Sequence, residues 1–200
     1  MFKALLFAGL ILSVAAAHSA TILVVGDSIS AGYGLPDPRD GWVALLARDL
    51  NGRGDQVVNA GVSGDTTAGG LSRLPKLLER YKPQVVVIEL GGNDGLRGIG
   101  LSEMEHNLRE LVGISREAGA APVLLGMQMP PNYGRKFAML FEAVYPRIAK
   151  DLHVEWVEGF LRGIGDVPDL MQSDQVHPNE KAQVILKDKV LKSLISVLKR

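Results

Sequence analysis

Two short runs constrain the fold more than any other feature of this sequence: TILVVG at 21–26 and QVVVIEL at 84–90. Both are apolar almost throughout, with no alternation of apolar and polar residues. A strand of that kind must be covered on both faces, as in a parallel sheet held between two helix layers. Pro83 and Gly91 bound the second run, and its β-branched residues favour a strand. Shorter runs that read as strands lie at 56–59, 122–129 and 154–157. Helical spacing fills the intervals, at 41–51, 66–81, 102–118, 133–151 and 179–199. The Ser102-to-Glu105 spacing predicts a capping box at the start of the 102–118 helix. Strand and helix alternate five times, which predicts an α/β fold on a parallel sheet. Open sheets of this type carry their sites at the carboxyl ends of the strands, so chemistry-bearing residues should directly follow strands.

Residues 1–20 stand apart from this pattern. Lys3 precedes an apolar run at 4–17 that ends in small residues, the arrangement of a secretory signal. The run is shorter than the roughly 20 residues of a spanning helix, so export with cleavage is expected, not anchoring. Cleavage after Ala17 puts alanine at both recognition positions; cleavage after Ala20 is the alternative and fits less well. No second run is long enough to span a bilayer. The mature protein is therefore expected to be periplasmic or secreted, without stable membrane insertion. Residues 21–200 show no repeat, linker or low-complexity segment and are expected to form one domain, acting as a monomer.

Acidic and basic residues balance at 22 each, which leaves no electrostatic footprint for nucleic acid. There is no Cys, which excludes disulfides, thiolate metal sites and a Cys nucleophile. The four histidines are not at ligand spacing, and neither metal nor cofactor is expected.

Four blocks follow strands. Ser28 lies in GDSIS, Gly64 in NAGVSGDT, Asn93 in GGND, and Asp174 with His177 in DQVHPN. A serine hydroxyl needs a base to become a nucleophile, and the base needs an orienting carboxylate. His18 falls in the signal region, His106 lies off the apolar stripe of its helix, and His153 reads as a surface residue. His177 alone occupies a loop at the expected catalytic edge, with Asp174 three residues earlier. The backbone N–H groups of Ser28 and Gly64 and the side-chain amide of Asn93 are candidate donors for an oxyanion. Each block alone is more often structural, since Asp and Ser are common helix caps and GGND is an ordinary turn. Their occurrence together, each after the proper strand, makes Ser28 the candidate nucleophile. Asp27, Asp94 and Asp65 read as braces of their loops.

Taken together, GDSIS, NAGVSGDT, ELGGNDGLRG and DQVHPN resemble the four blocks of the GDSL, or SGNH, hydrolase family. The stretches RLPKLLER and PPNYGRKF look closest to its periplasmic thioesterase I/lysophospholipase group, also called multifunctional esterase. The resemblance implies a flavodoxin-like three-layer α/β/α sandwich on a five-stranded parallel sheet, the SGNH hydrolase fold. It implies Ser28 as nucleophile, Asp174 and His177 as its relay, and Ser28, Gly64 and Asn93 as oxyanion donors. It also implies broad esterase, thioesterase and lysophospholipase activity. Ile29 stands where the family name has Leu, an apolar exchange of equal size.

Met127, Met129, Tyr133, Phe137, Leu140 and Phe141 cluster after the fourth strand. Leu140 and Phe141 read as core, while Leu96, Met129 and Tyr133 are the candidate acyl-binding residues. The glycine-rich loop GGNDGLRGIG is expected to be mobile. The expected substrates are small-molecule or lipid acyl esters and thioesters. Two alternatives remain: a carbohydrate acetylesterase on the same fold, and a non-catalytic flavodoxin-like module for a nucleotide or phosphate. The first would want aromatic stacking, and aromatic residues are only 6% of the chain. The second would want a phosphate loop, and neither GxxxxGK[ST] nor GxGxxG follows the first strand.

Overall fold

A computed structural model describes residues 19–198; the signal region expected at 1–20 lies almost wholly outside the described residues. Five strands form one sheet: β1 (Thr21–Gly26), β2 (Gln56–Gly61), β3 (Val85–Glu89), β4 (Ala121–Leu125) and β5 (Glu155–Val157). Their order is β2-β1-β3-β4-β5 and every pairing is parallel. That order is the flavodoxin-like one, whose switch point falls between β1 and β3.

The helices are α1 (Ser28–Ala31), α2 (Trp42–Asn51), α3 (Thr67–Tyr81), α4 (Gly92–Leu96), α5 (Leu101–Glu117), α6 (Arg135–Glu142), α7 (Val144–Leu152) and α8 (Glu180–Leu198). α2 packs on α8, whereas α3 packs on α5 and α5 on α7, giving two helical layers. The central strands explain the uniformly apolar runs. All five residues of β3 are buried, as are five of the six in β1. β2, at the edge, leaves Gln56 and Asn59 exposed. Trp42, Phe141, Tyr145 and Phe160 are the largest fully buried side chains. Burying such a group contributes about 1.5–3 kcal/mol over leaving it in water.

The first strand is tied in ahead of its own first residue. The Ala20 N–H donates to Asp55 Oδ1 at 2.9 Å, the Ala20 carbonyl accepts from Gln56 N at 2.8 Å, and Ala20 is 9% exposed.

Three local expectations are corrected. The helix expected at 133–151 is two helices, with a 3₁₀ turn (Pro131–Tyr133) ahead of them. Pro146 has no N–H to donate to the Glu142 carbonyl four residues back, and the break falls at Ala143. The strand expected at 122–129 ends at Leu125, and of the residues beyond it Gln128 and Met129 line the cleft described below. The capping box at Ser102 is absent: α5 starts at Leu101 after Gly100, with no side-chain cap. Glu105 instead accepts from the Arg109 and Arg147 guanidiniums, and bonds between charged partners outcompete one to a neutral N–H.

Candidate active site

The carboxyl ends of β1, β2 and β3, together with the loop before α8, build one cluster. β1 ends at Gly26, where the backbone runs close under the next turn. A Cβ there would stand 2.3 Å from Ser30 Oγ and 2.6 Å from Glu89 Oε2, so only glycine fits. Asp27 caps α1, its Oδ1 accepting from Ile29 N at 3.0 Å. Ser28 is therefore the first residue of a one-turn helix and is 9% exposed.

His177 reaches that turn from the other end of the chain. Its Nε2 lies 2.8 Å from Ser28 Oγ, and its Nδ1 lies 2.6 Å from Asp174 Oδ2. The other oxygen of Asp174 accepts from the backbone N–H of Val176 and His177 at 2.9 and 3.0 Å. Burial works to raise the Asp174 pKa, but these N–H groups and the imidazole outweigh it and hold the carboxyl below its usual range. The loop is fixed as a unit. Met171 and Pro178 form an antiparallel bridge, and Gln172 N donates to the His177 carbonyl at 2.8 Å. Gln172 Nε2 donates to the carbonyls of Tyr33, at 2.8 Å, and Pro178, at 3.1 Å. Asn179 Oδ1 accepts from Lys181 N and starts α8.

The other candidate oxyanion donors follow β2 and β3, the strands that pair with β1 on either side. Gly64 has φ +79°, the left-handed region, and its carbonyl accepts from Arg97 Nη2 at 2.6 Å. Neither the Ser28 nor the Gly64 N–H donates to a protein acceptor among the described residues. Asn93, in α4, gives one amide hydrogen to Asp27 Oδ2 at 3.1 Å and has a second to offer. The glycine-rich loop thus contains a short helix, entered at Gly91 with φ +113°.

Below Ser28 sits a pair of buried carboxyls. Glu89 is fully buried, and its Oε2 accepts from Ser30 Oγ at 2.6 Å and Asp27 N at 3.2 Å. Its Oε1 is buried without a partner. Burial, then the charge of Asp27, push the Glu89 carboxyl well above its usual range. Burial also raises Asp27, to about 6, against the opposing bond from Ile29 N. Asp94 and Asp65 act as braces, as the sequence predicts. Asp94 binds the N–H and hydroxyl of Thr67 at the start of α3, and Asp65 pairs with Arg73 at 2.7 Å.

Beside this cluster opens a cleft of about 580 Å³. Leu96, Met129 and Tyr133 all line it, with Asp174 and Val176 on the wall toward His177. Phe141 is core, as expected. Leu140 is not: it is 52% exposed, because Phe137 and Phe141 supply the inward face of α6. His106 and His153 lie at the surface.

Three residues near the site escaped the sequence reading. The Tyr33 ring lies 4.7 Å from the His177 ring, Gln172 ties the loop down, and Glu89 sits under the serine turn. Only Glu89 left a signal, as an ionisable residue in an otherwise apolar strand.

Comparison with known proteins gives the family of the chain. Residues 24–185 match the model of the GDSL-like Lipase/Acylhydrolase family. The chain belongs to this family. Esterase TesA of Pseudomonas aeruginosa is 47% identical to this GDSL hydrolase over 201 residues, covering 98% of this chain and 100% of that one. Thioesterase 1/protease 1/lysophospholipase L1 of Escherichia coli K12 is 41% identical over 184 residues, covering 92% and 88%. Among solved structures, the psychrotrophic esterase EstA from Pseudoalteromonas, inhibited by monoethylphosphonate, superposes with a TM-score of 0.84 at 40% identity, covering 91% and 100%.

Proposed function

We propose that this GDSL hydrolase cleaves carboxylic esters and thioesters of aliphatic acyl groups through an acyl-enzyme on Ser28. Ser28 Oγ attacks the acyl carbonyl carbon while its proton passes to His177 Nε2. Asp174 holds the ring so that Nε2 is the accepting nitrogen and steadies the imidazolium that forms. The carbonyl oxygen, now negative, is met by the Ser28 and Gly64 N–H groups and the free amide hydrogen of Asn93. Each such donor contributes about 2.7–4 kcal/mol to the transition state. The tetrahedral intermediate collapses, the C–O or C–S bond breaks, and the alcohol or thiol leaves with the proton from His177. Water then attacks the acyl-enzyme, giving its proton to His177, and the acid departs as Ser28 regains the hydrogen.

The observation that carries this reading is the continuous line Ser28 Oγ–His177 Nε2 at 2.8 Å and His177 Nδ1–Asp174 Oδ2 at 2.6 Å, beside an apolar cleft. Leu96, Met129 and Tyr133 take the acyl chain, and the adaptable Met129 side chain suits chains of varied length. The names of the relatives, an esterase and a thioesterase/lysophospholipase, support acyl esters over sugar acetates or a non-catalytic module.

The test uses a fluorophosphonate and a chain-length series of p-nitrophenyl esters, extended to acyl-CoA and lysophospholipid. Wild type should be labelled once and turn over the series; Ser28→Ala should lose both while keeping its circular dichroism. Labelling that persists at another serine overturns the assignment.

Export with cleavage after Ala17 completes the proposal. The bonds and burial of Ala20 support that site over the one after Ala20, which would discard a residue packed into the sheet.

A further inference from the structure

The helix that follows the cleft has two unlike faces. Phe141 is buried under α6, and Phe137 packs half-buried against it with ring centroids 6.3 Å apart. The opposite face carries Met139, 63% exposed, and Leu140, 52% exposed. At the start of the same helix stand Arg135 and Lys136, both exposed and in no ion pair among the described residues. These four side chains border a shallow surface depression of about 330 Å³. The one acid on α6, Glu142, faces Arg162 at 3.8 Å and leaves the two cations uncompensated. Tyr133, just before the helix, is itself exposed and lines the cleft beside Asp174. The patch thus begins two residues after a side chain that lines the cleft.

Exposed Met and Leu flanked by unpaired Arg and Lys fit one kind of partner. Apolar side chains gain by entering the acyl boundary of a bilayer, while cations at their edge gain from anionic head groups. A protein partner would need complementary shape; a lipid surface needs only this amphipathic order. We propose that the exposed face of α6 docks on an anionic phospholipid bilayer, with Met139 and Leu140 inserted, Arg135 and Lys136 at the head groups, and the cleft mouth turned toward the lipid. The proposal takes its meaning from the acyl-hydrolase reading, but docking itself requires no catalysis.

Co-sedimentation with vesicles tests it, using wild type and the inactive Ser28→Ala protein. Both should bind vesicles of phosphatidylcholine mixed with phosphatidylglycerol, and added salt should release them. Arg135→Ser with Lys136→Ser should weaken binding by about 25-fold, roughly five-fold per cation. Met139→Ser with Leu140→Ser should abolish it. Both double variants should hydrolyse a water-soluble short-chain p-nitrophenyl ester at the wild-type rate, since none of the four residues lines the cleft. No binding to the mixed vesicles, equal binding to pure phosphatidylcholine, or double variants that bind like wild type would overturn docking. So would sedimentation equilibrium showing that Met139 and Leu140 close a dimer between copies of this chain. Failure of the hydrolytic reading would appear separately, as an Ser28→Ala protein that still turns over the soluble ester.

Discussion

Ser28 Oγ and His177 Nε2 meet at 2.8 Å across a sequence separation of 149 residues. Nothing local holds them together. Their approach depends on the loop before α8 being fastened to the loop after α1, and Gln172 is the fastener, joining the Tyr33 and Pro178 carbonyls. Gly34 keeps room for it: a Cβ there would stand 2.1 Å from Gln172 Oε1.

Gln172→Ala should therefore lower kcat by about ten-fold with little change in KM. Two hydrogen bonds, each worth about 1 kcal/mol net, no longer hold the imidazole on the serine. Steady-state kinetics on a short p-nitrophenyl ester checks this. An unchanged kcat would mean that Asp174, the Tyr33 ring and the backbone bonds of the loop position His177 without the Gln172 side chain.

Asp174→Asn should cost about 10³-fold in kcat, below the roughly 10⁴-fold of buried serine-protease triads. An amide can present its NH₂ to Nδ1 and favour the wrong tautomer. Asp174 is partly open to water, and its side chain is 40% exposed, so solvent can restore some of the correct orientation. Because Asp174 stays ionised well into the acid range, the acid limb of kcat/KM should not belong to it. Its ionic contribution to stability is present above the ordinary carboxylate pKa and is lost as pH falls through its lowered one. A pH–rate profile and acid denaturation of wild type and variant read both effects.

How much of this was legible in the sequence depends on what each residue does. Ser28, Gly64 and Asn93 could be placed after strands, and Asp174 with His177 ahead of the last helix, because strands and helices announce themselves in the pattern of apolar residues. Tyr33 and Gln172 could not, because each is defined by a contact between loops far apart in sequence. Leu140 misled for a related reason: hydrophobicity says that a residue can be buried, and only the packing of Phe137 and Phe141 decides which face of α6 turns inward. Glu105 misled because its competing partner, Arg147, lies 42 residues away on another helix.

Asp27→Asn should change stability and rate in opposite senses. Below its ordinary value of 3.8, Asp27 is neutral in folded and unfolded chains alike. Between there and about 6 the unfolded chain ionises while the folded one keeps its proton, so stability falls as pH rises across that window. A shift of that size corresponds to about 3 kcal/mol. The variant should flatten that fall and unfold at higher denaturant near neutrality. Its one oxygen cannot accept from both Ile29 N and Asn93 Nδ2, so Asn93 should turn and kcat should drop by about 10- to 100-fold. Urea unfolding from pH 4 to 8, with kinetics alongside, tests the pair; a variant with the wild-type pH slope would show that Asp27 is not the group responsible.

Gly26→Ala should destabilise the protein by about 1–3 kcal/mol, the range for forcing a methyl into a filled interior. The added carbon would meet Ser30 Oγ and Glu89 Oε2 well inside contact distance, under the serine turn itself. Thermal unfolding measures the loss, and a variant as stable as wild type would mean that β1 and β3 can part at their carboxyl ends.

The closing helix has a consequence in time. Gln183 of α8 accepts from the backbone N–H of Trp42 at 3.0 Å, so α8 is fastened to the start of α2, and the loop carrying His177 lies just ahead of that joint. A ribosome making this protein releases Ser28 first and His177 only 149 residues later. Throughout that interval the nascent chain holds a hydroxyl with no group to take its proton. A copy cut short before His177 would keep the Ser28 hydroxyl without the imidazole that stands 2.8 Å from it, so truncation there should abolish fluorophosphonate labelling.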